Sequence, residues 1–104
     1  MKKFNPVTFG EHIRILREKA GLPLREVAAN LNIDISLLGK IERNERLPQK
    51  KFIRQIAIFY KAEESELKKE FLSDQIACKI VEEGVGIDTL KVAEEKISYL
   101  RAKK

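Results

Sequence analysis

The stretch that decides the fold covers residues 21–48 and reads GLPLREVAANLNIDISLLGKIERNERLP. Apolar residues recur in it at helical spacing in two short segments, one ending near Asn32 and one running over about 35–43. Asn32 stands between them, where a left-handed backbone conformation favours Gly or Asn. Ala28 is small where the two helices must approach closely. The stretch therefore predicts two amphipathic helices joined by a tight turn.

The rest of the chain raises the predicted number of helices to seven, and no segment has a convincing strand pattern. Thr8 and Glu11 have the spacing of a capping box at the start of the first helix, which Gly21 ends. Asn44 is expected to end the third helix in a left-handed conformation. The remaining four helices are predicted over about 49–60, 62–72, 74–83 and 88–102.

Composition limits the classes of protein to which the chain can belong. It has 104 residues, 43% of them hydrophobic and 36% charged, which suits a small core under a highly charged surface. No apolar stretch approaches the roughly 18–20 residues of a membrane span, and no apolar segment follows the basic start as in a signal peptide. Cys78 is the only cysteine, so an intrachain disulfide cannot form, which fits a cytoplasmic location.

Charge is distributed unevenly along the chain. Residues 1–61 contain 13 Lys and Arg against 6 Asp and Glu, whereas residues 62–104 contain 8 against 10. A basic N-terminal part followed by a near-neutral remainder suits a polyanion-binding module, although a charged surface also serves solubility alone.

Further motifs lie in order around the central stretch: FGEHIRILRE before it, KIERNERLP at its end and IRQIAIFYKAEESEL after it. Together they make residues 9–67 resemble the phage-repressor class of helix-turn-helix domains, the Cro/CI or XRE-type family. The whole chain also resembles small bacterial regulators such as restriction–modification controller proteins. The resemblance implies an all-α fold with a five-helix phage-repressor-like DNA-binding domain, here over 8–72. The two remaining predicted helices form a C-terminal extension over 73–104.

The resemblance implies that the protein binds double-stranded DNA. The third helix, over about 35–43, would be the recognition helix and would lie in the major groove. Leu38 and Ile41 would anchor this helix to the core, and Ser36, Gly39 and Lys40 would face outward. By position, the base-reading surface is expected to comprise Asp34, Ile35, Ser36, Gly39 and Lys40.

Each of these side chains has a distinct chemistry toward DNA. Lys40 can donate to guanine or to a phosphate, and Ser36 can pair with either kind of base or with a phosphate. Ile35 can contact a thymine methyl group or pack on the neighbouring helix. Asp34 can cap the helix, which is the favoured interpretation, or accept from a cytosine amine.

Phosphate contacts are expected from polar and basic residues that flank the recognition helix and lie at or near helix starts. These are Arg25, Arg43, Asn44, Arg46, Gln49, Lys50 and Lys51.

Two further pairs of residues matter for the motif. Arg17 and Glu42 match family positions that form an ion pair, and a structural role is favoured for them over DNA contact.

Pro23 and Leu24 depart from the family, which usually has a polar cap followed by Gln at the start of the second helix. Because neither side chain can form a hydrogen bond, only the helix N-terminus remains available for contacts at that position.

The last helix, which Asp88 or Thr89 can cap, has a heptad-like apolar seam. The seam either packs on its own domain or meets its counterpart in a second subunit, and the second interpretation predicts a homodimer. Its residues are Leu90, Ala93, Ile97 and Leu100.

Nothing in the sequence indicates an enzyme. His12 is the only histidine and has no catalytic partner in the pattern, so we expect no catalytic residues, no metal site and no cofactor. Cys78 is expected to be a small core or interface residue. The leading hypothesis is a DNA-binding repressor or autoregulator. The alternatives are a DNA-binding antitoxin or adaptor whose C-terminal helices bind a protein partner, and a purely protein-binding module.

Overall fold

The structure is a computed structural model, and it describes residues 8–103. All secondary-structure elements in that part of the chain are helices and none is a strand, which confirms the predicted all-α class. The chain divides after Asp74 into two compact units. The six helices are α1 (Phe9–Lys19), α2 (Leu24–Leu31), α3 (Ile35–Glu42), α4 (Lys50–Tyr60), α5 (Glu64–Glu83) and α6 (Asp88–Ala102).

The first unit has a hydrophobic core to which five helices contribute. Ile13 of α1, Val27 of α2, Leu38 of α3, Ile56 of α4 and Leu67 of α5 are all fully buried. Burial of each such side chain stabilises the fold by roughly 1.5–3 kcal/mol. Because these residues lie on one stripe of each helix, the opposite faces remain available for other contacts.

Helix ends in the first unit follow the predicted local chemistry. The Glu11 backbone N–H donates to Thr8 Oγ1 at 3.2 Å, and the Thr8 backbone N–H donates to Glu11 Oε1 at 3.0 Å. The capping box is therefore confirmed. Asn32 and Asn44 have φ values of 57° and 64°, which confirms the predicted left-handed conformation at both positions.

The predicted helix break near Ser73 is wrong, because α5 continues for 20 residues. Ser73 Oγ donates to the Glu70 carbonyl oxygen at 3.0 Å, so its hydroxyl is satisfied inside the helix. What changes near this point is burial: Leu67 and Phe71 are buried, whereas no residue in the second half of α5 is. The change of composition marks the end of the core, and the helix continues past it.

The second unit consists of the end of α5, a link containing Gly84 at φ 67°, and α6. The predicted cap at Asp88 or Thr89 is wrong, because Ile87 occupies the N-cap position and no side chain caps α6. None of the helices described here is long and apolar enough to cross a membrane. No residue of α6 is buried. Large apolar side chains exposed in this unit are Ile76, Val81, Val85, Ile87, Leu90, Val92, Ile97, Tyr99 and Leu100.

Candidate nucleic-acid interface

The α2–turn–α3 segment packs into the hydrophobic core of the first unit. The turn is closed by backbone bonds, since the Ile33 N–H donates to the Ala28 carbonyl oxygen at 3.0 Å. Ala28 is buried where α2 meets α3, as its small size predicted. Leu38 and Ile41 are also buried, which confirms that they anchor α3 to the core. One side of α3 is therefore fixed by packing.

Asp34 is the N-cap of α3. Its Oδ2 atom accepts from the Ser36 N–H at 3.0 Å and from the Leu37 N–H at 3.3 Å. A carboxylate at this position satisfies backbone donors and interacts favourably with the positive end of the helix dipole. The capping role is therefore confirmed, and base reading by Asp34 stays a prediction.

The outward side of α3 differs in one respect from the predicted surface. Ile35, Ser36 and Lys40 are exposed, with Ile35 44% accessible. Gly39 is buried, contrary to the expectation that it faces outward, because the side chains of Leu24 and Arg43 lie over it. A side chain built at position 39 would meet Leu24 Cδ2 at 3.5 Å and Arg43 Nη1 at 3.1 Å.

The predicted ion pair between Arg17 and Glu42 is confirmed as a structural contact. Arg17 Nε donates to Glu42 Oε2 at 2.9 Å and Arg17 Nη2 donates to Glu42 Oε1 at 3.0 Å. Arg17 Nη1 donates to the Leu22 carbonyl oxygen at 3.0 Å, so one guanidinium joins α1, α3 and the loop before α2. The hydrogen bond with Glu42, which is only 5% exposed, raises the pKa of Arg17. Burial raises the pKa of the neighbouring Tyr60 to about 12.

Gly10 is a residue that the sequence analysis missed. A Cβ atom at this position would clash with the Ile41 carbonyl oxygen and would lie 2.6 Å from Asn44 Oδ1. Only glycine therefore lets the start of α1 approach the end of α3 this closely. The available signal was a glycine inside an otherwise regular helix, where it is unfavourable without a packing reason.

The seven predicted phosphate-binding residues are all exposed. Arg43 is already engaged, because its Nε donates to Glu45 Oε2 at 3.1 Å and its Nη2 donates to Glu45 Oε1 at 3.3 Å. These bonds raise the pKa of Arg43 and lower the pKa of Glu45. Gln49 is the N-cap of α4 and its side chain makes no cap bond, so the backbone N–H groups of Lys50 and Lys51 can donate to an anion at this helix start.

A family model described as a helix-turn-helix domain matches residues 8–69, more than half of the chain. The chain belongs to this helix-turn-helix family, which is of the XRE/Cro-like type of DNA-binding domains. A search of the curated proteins found no significant match to the chain. The matched residues include all of α1–α4 and the start of α5, and they exclude α6.

Within the first unit, α1 and α5 are joined by polar contacts that the sequence did not indicate. His12 Nδ1 and Glu70 Oε1 lie 2.6 Å apart, and the Phe9 N–H donates to Asp74 Oδ2 at 2.8 Å. The Phe9 ring also packs edge-to-face on Phe71. These partners are separated by about 60 residues in sequence, so only the folded arrangement brings them together. They hold the first half of α5 against the domain.

The described residues contain no group of three or more His, Cys, Asp and Glu side chains that could hold a metal ion. Cys78 is exposed, so the expectation of a core position for it is wrong, and the alternative of an interface position stays a prediction. The helix-turn-helix surface instead offers exposed hydroxyl, ammonium, guanidinium and apolar groups around α3, which suit contacts to base edges and phosphates.

Proposed function

We propose that the protein is a sequence-specific transcriptional regulator, a repressor or autoregulator, that binds operator DNA as a homodimer. The observation that carries this proposal is the position of α3 in a helix-turn-helix domain: Leu38 and Ile41 fix one side, and Ser36 and Lys40 are exposed on the other. In this class of domain, the N-terminal part of the second motif helix reads base edges in the major groove.

Base contacts are assigned to the start and outer side of α3. Lys40 donates to guanine or phosphate and Ser36 donates or accepts at a base edge. Asp34 holds the helix N-terminus in place through its cap, and the missing side chain of Gly39 leaves room for Leu24 and Arg43 beside the base-reading surface. Phosphate contacts come from the residues flanking α3 and at the start of α4, namely Arg25, Arg43, Asn44, Arg46, Gln49, Lys50 and Lys51.

Dimerisation is assigned to the C-terminal extension over residues 73–104. One helix-turn-helix domain covers about one half-site, so a dimer is needed to read two. The support for this assignment is that α6 buries none of its residues and leaves its apolar seam accessible. The seam consists of Leu90, Ala93, Ile97 and Leu100.

A titration of genomic duplex fragments at several salt concentrations tests the proposal. Each phosphate contact contributes about 0.9 to the slope of log affinity against log salt concentration, so binding by this basic surface should weaken steeply with salt. The double variant Lys40→Ala with Arg43→Ala should lose at least about tenfold in affinity, as expected for one good base contact.

The matched control removes two positive charges from exposed positions of α5, through Lys68→Ala with Lys69→Ala. This variant should keep the affinity within about twofold, since the two lysines lie outside the proposed surface. Salt-insensitive binding, absence of binding, or equal losses in the two double variants would overturn the proposal.

A second candidate function is a DNA-binding antitoxin or adaptor whose C-terminal helices bind another protein. The observation that favours it is the same exposed apolar surface of the second unit, which a partner of different sequence could also cover. Size measurement of the purified chain separates the two functions. A stable dimer supports the regulator, and a monomer that gains a stoichiometric partner from its own cell supports the adaptor.

A further inference from the structure

The outer side of α3 contains an open concavity of about 310 Å³ in which an apolar surface meets positive charge. Its apolar part is formed by Leu24, the first residue of α2, and by Ile35, the first residue of α3. Leu24 presents an apolar side chain next to the base-reading helix. The complete lining is Leu24, Ile35, Ser36, Gly39, Lys40 and Arg43.

Gly39 gives the concavity its depth. With only a hydrogen at this position, Leu24 Cδ2 and Arg43 Nη1 lie 3.5 and 3.1 Å from where a Cβ atom would stand. Any larger side chain would fill the space between these groups. Gly39 therefore lies at the base of the concavity, and its missing side chain keeps the space between Leu24 and Arg43 free.

Positive groups belong to the same lining as the apolar side chains. The Nε and Nη2 atoms of Arg43 donate to the Glu45 carboxylate. The third guanidinium nitrogen, Nη1, lies beside Gly39. Lys40 adds an ammonium to the same lining. The site thus has an apolar floor and hydrogen-bond donors at its edge.

We infer that this concavity binds the major-groove edge of a thymine, with its C5-methyl group between Leu24, Ile35 and Gly39 and its O4 toward Arg43 or Lys40. In the major groove, thymine presents a methyl group beside an acceptor, whereas cytosine presents an amine donor. A 5-methylcytosine has the same methyl group, but its N4 amine is a donor and would face the Arg43 and Lys40 donors. It therefore fits this site less well than thymine does. This inference rests on the proposed function and names the base that its site reads.

The test begins with selection of bound sequences from a random 30-base-pair duplex library by the full-length protein. In the enriched duplex, each thymine is then replaced singly by uracil, which differs only by the missing methyl group. We expect at least one position per half-site at which this change weakens binding by about fourfold, the effect of one buried methyl group. Equal affinity for thymine and uracil at every position would overturn the inference.

Two variants test the site itself through the ratio of thymine to uracil affinity. Gly39→Ala should bring the ratio to about one, because the new methyl group occupies the floor. Its thermal midpoint should not fall, since Ala favours a helix over Gly, Leu24 lies at an ordinary contact distance, and the flexible end of the Arg43 side chain can move aside by a few tenths of an ångström. Leu24→Ala should lower the ratio as well. The control is Ile58→Ala, a truncation at an exposed position of α4, and it should leave the ratio unchanged.

The outcomes separate this inference from the proposed function. Salt-dependent, sequence-selective binding without any uracil effect overturns the thymine site and leaves the regulator in place. Failure to bind any duplex overturns both. A third measurement places 5-methylcytosine opposite guanine at the sensitive position. Weaker binding there than to thymine supports thymine as the ligand, and equal binding overturns the choice of thymine over a methylated cytosine.

Discussion

The two units of the chain are both helical, but they differ in what they bury. In the first unit each of five helices contributes a fully buried side chain to one core, whereas α6 in the second unit buries none of its residues. A helix held by its own core can present its opposite face to a ligand without losing its position. A helix without a core of its own needs a partner surface to cover its apolar side. For this reason DNA binding is proposed for the first unit and dimerisation for the second.

The largest expected effect is the loss of a core side chain in the first unit. Ile56→Ala removes a completely buried side chain and should lower the free energy of unfolding by about 2–5 kcal/mol. The matched change Ile58→Ala, on the same helix but at a 69% exposed position, should alter it by less than about 0.5 kcal/mol. Urea unfolding followed by circular dichroism measures both. Similar losses in the two variants would contradict the assignment of the core.

The second effect concerns association through the second unit. Ile97→Asp places a charge in the apolar seam, at a position 46% exposed in the single chain, and should raise the dimer dissociation constant at least about tenfold. Sedimentation equilibrium measures that constant. Ile58→Asp provides the control in the first unit, with an unchanged dissociation constant expected. A dimer that tolerates the charge at Ile97 would place the interface elsewhere.

A smaller effect is expected at the cap of α3. Asp34→Ala removes the acceptor for two backbone N–H groups and should lower the free energy of unfolding by about 1 kcal/mol. Asp34→Asn keeps an oxygen acceptor and should recover most of that loss, which separates the cap from the charge. Urea unfolding of the two variants makes the comparison, and equal losses would show that the carboxylate charge, more than the cap, stabilises this helix.

The smallest effect is a pH dependence at high pH. The folded-state pKa of Tyr60 is about 12 against an ordinary value of 10.0, because burial disfavours its ionised form. The unfolded chain therefore ionises first, and the contribution of Tyr60 to stability is complete below pH 10 and lost as the pH rises through 12. Tyr60→Phe should lessen this decline in unfolding measurements, whereas Tyr99→Phe, at a 63% exposed position of the second unit, should not. The same profile in both variants would contradict the role of burial.

Local signals in the sequence predicted the first unit well. The capping box at Thr8, the left-handed turn at Asn32 and the Arg17–Glu42 pair are all present. Each depends on residues close together in sequence or on a family position, so the pattern itself carries the information. The predicted helix break at Ser73 was wrong, because the same change of composition can accompany the end of a buried stripe or the end of a helix.

Contacts between distant elements could not be predicted in the same way. Gly39 is buried because Leu24 and Arg43 lie over it, and Gly10 is required because α1 meets the end of α3. The pairing of His12 with Glu70 likewise depends on how α1 and α5 pack. These features arise from the three-dimensional arrangement of helices, which residue spacing along one helix does not encode.

A hydroxyl-radical footprint of the protein on its selected duplex reports on both units at once. If α3 reads the major groove and the C-terminal extension joins two subunits, the footprint should show two protected segments with centres about 10 base pairs, or a multiple of that, apart. Ile97→Asp at a concentration that keeps it monomeric should weaken both together. A single protected segment, or no protection, would contradict the account.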